Sequence, residues 1–121
     1  MKQIVKIWYS KPEYGCELMM GDKWLRDKGI VLSPATLEHT HVLLKTLEAS
    51  EVNLEALYYQ FQAEQWSPKG EARELISSKG LAHTSMSVGD VIQVDDKCFL
   101  VDLIGFRELT DNGGINETTA R

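Results

Sequence analysis

HTSMSVGDVIQVDDKCFLVDLIGFREL, residues 83–109, is the stretch on which the fold turns. Within it, residues 91–94 and 98–103 are short alternating apolar runs on either side of the polar Asp95-Asp96-Lys97, the pattern of a β-hairpin. Gly89-Asp90, just ahead of the first run, suits a tight turn. Glycine supplies a positive φ there, and aspartate bonds back to local backbone N–H groups. Met86 and Val88 are expected to point inward. Beyond the hairpin, Ile104-Gly105-Phe106 is expected to carry the sheet on past a bulge or sharp bend, since glycine permits a close backbone approach.

Working back toward the N-terminus, SEVNLEALYYQFQAEQW (residues 50–66) places Leu54, Leu57, Tyr58 and Phe61 at i, i+3, i+4 and i+7. That spacing puts them on one face of an amphipathic helix. Asn53 stands where an N-cap belongs, Glu55 favours the positive helix end, and Ser67-Pro68 cannot continue the helix. One helix over residues 53–66 is therefore expected. Residues 70–80 hold one or two further helical turns, ended by Gly80. Near the start, QIVKIWY (residues 3–9) alternates Ile4, Lys6 and Trp8 with Val5, Ile7 and Tyr9. Apolar residues on both sides imply an internal strand, which Pro12 stops. Residues 13–28 admit two readings: a short amphipathic helix broken at Gly21-Asp22, or a helix capped by Asp22 and running through residue 28. Residues 29–34 read as a connection and residues 41–47 as a strand.

The 121 residues suffice for one domain with its own core, taken as residues 1–109. Residues 110–121, with two adjacent glycines and small polar side chains, read as a flexible tail. Cys16 and Cys98 lie far apart, form no C-x-x-C pair and are expected to be free thiols in a reducing cytoplasm. The apolar run in MKQIVKIWYS is too short for a secretory signal, and no segment approaches a membrane span. The net charge of −5 is unfavourable for broad phosphate-backbone contact, because the 13 basic residues are scattered. A protein partner fits better than nucleic acid or a membrane.

Residues that carry chemistry were weighed against their structural alternatives. His39-x-His41, with His83 as a third ligand, has spacing that would hold a transition metal on a strand face, but no carboxylate completes a recognisable set. His83, Ser85, Ser87 and Asp90 superficially offer a Ser/His/Asp set. Read as an extended strand, the segment would alternate these side chains between faces, so no triad is expected. There is no G-x-S-x-G elbow and no phosphate-cradling glycine motif. Asp90 reads as a turn-former, and no catalytic residue or cofactor is assigned. Among the aromatic residues, Tyr58 and Trp8 fall on core positions. Tyr59, Trp66 and Trp24 are expected to be exposed, and Tyr59, Trp66 and Glu55 are the candidate binding residues.

With these parts in order, the chain resembles the YodL-like domains of phage, plasmid and other mobile-element proteins. The resemblance rests on three blocks: a helix L-x-x-[IL]-[YF]-x-x-F at Leu54, Leu57, Tyr58 and Phe61; S-[LM]-S-V-[SG]-D-V at residues 85–91; and [VC]-D-x-x-G-[FW] at Val101, Asp102, Gly105 and Phe106. It covers roughly residues 41–109. The chain departs from the pattern in carrying His83-Thr84 where many members have Gly-His, and in a longer stretch between residues 68 and 80. The shared positions Ser87, Gly89, Asp90, Asp102, Gly105 and Phe106 read as structural. The resemblance implies a bacterial host cytoplasm and an accessory role, with no catalytic chemistry to transfer.

The expectation is an α+β fold: a small, mainly antiparallel sheet, one principal helix packed across it, and a C-terminal β-hairpin. The expected function is a non-enzymatic protein-interaction domain of a phage or mobile element. It would bind a host or viral protein, with the countering of a host defence or regulatory protein as one reading, and a homo-oligomer is open. The alternative is a small nucleic-acid-binding module, whose binding would weaken steeply with salt and depend on Lys2 and Lys6.

Overall fold

A computed structural model describes residues 2–110. The chain forms β1 (Gln3–Ser10), α1 (Pro12–Leu18), α2 (Asp22–Asp27), a 3₁₀ turn (Pro34–Thr36), α3 (Leu37–Thr40), β2 (His41–Ala49), α4 (Leu54–Gln60), α5 (Ala63–Trp66), α6 (Arg73–Ser78), β3 (Val91–Val94), β4 (Lys97–Val101) and β5 (Phe106–Leu109). The five strands make one sheet in the order β2-β1-β3-β4-β5, and every neighbouring pair is antiparallel. This is the expected α+β class.

The alternation in β1 shows why both faces are covered. Val5, Ile7 and Tyr9 join Ile92, Val94 and Val101 beneath Leu57, Phe61, Ala72 and Ile76 from the later helices. Trp8, with Val91, Cys98 and Leu100, packs on the opposite face against Leu18, Leu25, Leu32 and Leu37. On that second face the Trp8 indole N–H donates to Gln93 Oε1 at 2.9 Å, which satisfies the polar atom of a side chain only 8% exposed. The β1–β2 register slips between Ile7 and Trp8, which pair with Lys45 and Leu43. The skipped Leu44 is buried in the first cluster.

One expectation is corrected: the single helix over 53–66 is two short ones. Gln62 is extended (φ −77°, ψ 144°), so the chain breaks between α4 and α5. Tertiary partners hold the break open: the Met86 N–H donates to Phe61 O at 3.0 Å and the Ala63 N–H to Ser85 Oγ at 2.8 Å. The expected N-cap is in place, with Asn53 Oδ1 accepting the Ala56 N–H at 3.0 Å. Between residues 13 and 28 the chain makes two helices parted at Gly21, the first of the two readings. Of the bulge or sharp bend expected at residues 104–106 the sharp bend is found: a second tight turn sends β5 back along β4 and the sheet continues. The tail assigned to 110–121 lies outside the described residues except for residue 110. Neither Cys16, which is exposed, nor Cys98, which is buried, forms a disulfide among the described residues. No described helix is long and apolar enough to cross a membrane.

Candidate functional site

Asp90 is the hub of the loop between α6 and β3. It is 0% exposed, and its carboxylate is fully occupied. Oδ1 accepts the Ser10 N–H and Oδ2 the Ser87 N–H, both at 2.8 Å. The Asp90 N–H returns to Ser87 O at 3.0 Å, closing the turn that residues 87–90 were expected to make. His83 Nε2 lies 2.9 Å from Oδ2 and 3.1 Å from Oδ1. A carboxylate only accepts, so that nitrogen carries the proton. A buried carboxylate is tolerated when it is paired and hydrogen-bonded in this way.

The expectation that His83 and Asp90 would not converge is thereby corrected. Residues 81–90 form an irregular loop, so side chains seven positions apart fold onto each other. The two serines do not join them. Ser85 Oγ accepts from Ala63, and the Ser87 hydroxyl donates to Ser85 O at 3.0 Å. The result is a His–Asp pair without a nucleophile. The His83 ring stacks flat on Tyr9, with centroids 4.5 Å apart and planes 9° apart. The Tyr9 hydroxyl donates to Thr84 O at 2.7 Å. Burial, with the Asp90 charge adding to it, pushes the Tyr9 phenol pKa far above its ordinary value, so it stays protonated.

His41 is 1% exposed. Its Nε2 lies 2.7 Å from Gly89 O and its Nδ1 2.7 Å from Thr40 Oγ1. Because a carbonyl only accepts, the neutral ring carries its proton on Nε2 and accepts the Thr40 hydroxyl hydrogen on Nδ1. Burial holds its pKa below the ordinary histidine value of 6.5. The metal reading is also corrected in its geometry. His39 belongs to the single turn α3, so His39 and His41 do not share a strand face. Among the described residues no group of three or more His, Cys, Asp or Glu is arranged to hold a metal.

The second signature block builds a different feature. Asp102 Oδ1 accepts the first N–H of α2, from Asp22, at 2.9 Å, and the Leu103 N–H at 2.8 Å. The Asp102 N–H donates to Gly105 O at 3.0 Å, and Gly105 takes φ +71°. Aspartate at the first position and glycine at the fourth are the residues such a turn needs. Between them the turn displays Leu103, 66% exposed, and Ile104, 93% exposed. Leu103 leans on the α1–α2 junction, where a Cβ built on Gly21 would fall 2.9 Å from its Cγ.

A cleft of about 400 Å³ opens between this turn and α4, lined by Glu55, Tyr58, Tyr59, Val88, Val101, Asp102, Leu103, Gly105 and Phe106. Two of the three candidate binding residues, Tyr59 and Glu55, are on its wall, and Tyr59 is 61% exposed. Tyr58, assigned to the core, also lines it. Trp66 does not. Expected at the surface, it is half-buried against Phe61, with ring centroids 5.2 Å apart, and its indole N–H donates to Thr84 O at 3.0 Å. Trp24 is likewise half-buried, with the Lys28 ammonium 5.6 Å above its ring. Sequence reasoning passed over Leu103 and Ile104, although two bulky apolar residues inside a D-x-x-G turn are a readable anomaly.

Among known proteins, a curated relative that is an uncharacterised protein of Acanthamoeba polyphaga mimivirus is 32% identical over 59 residues, 49% of this chain and 55% of the relative. The chain thus matches about half the length of that relative. No protein-family model matches the chain, and no solved structure does.

Proposed function

We propose that the chain is a protein-interaction domain that grips its partner in the cleft between α4 and the 102–105 turn. The observation that carries this reading is Ile104, displayed 93% exposed at the tip of a turn whose other residues are tied down. A large apolar side chain presented in water on a turn whose backbone is already hydrogen-bonded offers a partner apolar area with little backbone ordering left to be done. Tyr59 and Leu103 flank the cleft and Glu55 gives one charged wall. The fitting partner is a protein segment that offers an apolar side chain to the Val88–Phe106 floor and a basic one to Glu55. A host or viral protein in a phage or mobile-element setting suits that description, and the viral relative is in keeping with it. A role against a host defence belongs to the same proposal.

The test is capture from nuclease-treated lysate with the whole chain, its Ile104→Asp and Tyr59→Ala variants, and Lys79→Ala as a remote control. A protein held stoichiometrically by the wild type and the control, and lost by both the turn variant Ile104→Asp and the cleft variant Tyr59→Ala, is the expected result. Central apolar and tyrosine anchors typically contribute about 2 kcal/mol or more, roughly a thirtyfold loss of affinity. Retention by all four chains would place the contact elsewhere. Nucleic acid recovered in place of protein, in a salt-sensitive manner, would favour the alternative module.

A further inference from the structure

We propose that the His41–Gly89 contact is an acid-released latch: as pH falls it lets go of the 81–90 loop, and with it the Val88 wall of the cleft. The consequence for a partner rests on the cleft being the binding site; the opening of the loop does not.

The loop has no helix or strand of its own. Its second half is seated by the Met86 N–H on Phe61 O at 3.0 Å, Gln62 Nε2–H on Met86 O at 3.0 Å, the Gly89 N–H on Val101 O at 2.9 Å, the Val101 N–H on Asp90 O at 2.8 Å, the Asp90 carboxylate, and His41 Nε2–H on Gly89 O at 2.7 Å. Gly89 is also wedged against α1, where a Cβ would fall 2.7 Å from Leu18 Cβ. His41 reaches this point from the first residue of β2, the edge strand on the far side of β1. Val88, which walls the cleft, is the residue next to the latch.

Protonating His41 breaks no hydrogen bond by itself. The new Nδ1–H donates to Thr40 Oγ1, and the Thr40 hydroxyl hydrogen turns to Leu37 O, which lies 3.4 Å away. What changes is charge. A cation appears at a site that is 1% exposed, faced by Gly89 O, Asp90 and His83 from the loop and Lys11 from the β1–α1 junction. The Gly89 carbonyl and Asp90 attract it, though Asp90 is already in direct contact with His83, while His83 and Lys11 repel it. Burial outweighs the attraction, which is why the ring resists protonation when folded. Releasing the loop admits water to the ring and restores its ordinary affinity for a proton. A segment without a helix or strand ladder of its own opens at lower cost than the sheet beneath it.

The sign follows from proton linkage. The open loop binds the proton more tightly than the closed one, so acid favours opening. The opening constant rises about tenfold per pH unit below roughly 6.5 and levels off beneath the closed-state pKa. Amide exchange of the free chain, corrected for intrinsic rates, reads this directly. Met86 and Gly89 amides are expected to lose protection on that slope between pH 7 and 5, while amides at the centre of β1 and β3 keep theirs. His41→Gln, which retains a donor for Gly89 O and cannot take up the proton, is expected to flatten the slope. If that variant does not fold, the wild-type His41 imidazole is titrated by NMR. A midpoint below 6.5 that coincides with the exchange transition supports the latch. Protection that is flat with pH, a slope unchanged in the variant, a midpoint at or above 6.5, or one that does not coincide with the exchange transition would overturn it. No partner takes part in these measurements, so failure of the latch leaves the cleft reading standing, and failure of the cleft variants in capture leaves the latch standing.

Discussion

Asp90 holds a carboxylate that water cannot reach, and three donors, one from β1 and two from the 81–90 loop, stand in for that water. Replacing it with asparagine keeps the shape but turns an acceptor oxygen into an amide that confronts another N–H. Asp90→Asn is expected to lower stability by about 3–5 kcal/mol, the usual cost of breaking a buried charged pair, measured by urea unfolding. Gly89→Ala should be comparably severe, because φ +100° and a Cβ 2.7 Å from Leu18 leave no relaxed solution. A change under about 1 kcal/mol in either variant would sink the account of Asp90 as the hub. The turn made by these two residues was legible because aspartate bonds to an N–H three residues away. The bond from Ser10, eighty positions distant, was not, since no local pattern encodes it.

At the scale of elements, the helices are short and owe their limits to partners outside themselves. Asn53→Ala removes a cap and is expected to cost about 1 kcal/mol. Ser85→Ala strips the acceptor from the Ala63 N–H at the α4–α5 break and is expected to cost about 1 kcal/mol or more. Urea midpoints measure both, and a neutral Ser85→Ala would mean that the break is set by something other than that bond. The periodicity of Leu54, Leu57, Tyr58 and Phe61 correctly marked a helix start. It could not mark the end, because Phe61 O and the Ala63 N–H bond to the 85–86 segment instead of to the next turn. In the same way Gly105 marked a bulge or a sharp bend, while the direction of β5 depended on its pairing with β4.

For the whole molecule, two apolar layers share one five-stranded sheet. Leu25→Ala and Ile76→Ala remove buried side chains from opposite faces, and each is expected to cost about 2–5 kcal/mol. Because both layers rest on β1, β3 and β4, each variant should still unfold in one transition, with far-UV and near-UV circular dichroism coincident. Separated transitions would mean that the two faces fold independently.

The sequence by itself determined the strands, the turns and their glycine and aspartate residues, the Asn53 cap and the internal position of β1. These follow from alternation, helical spacing and local hydrogen bonding, which act within a few residues. Tertiary structure alone decided that His83 reaches Asp90, that His41 latches Gly89, that Trp66 is drawn inward and that Tyr59, Glu55 and Leu103 surround one cleft. Each of those contacts joins side chains whose approach depends on how the sheet and the loops close in space, a condition that no periodicity along the chain expresses.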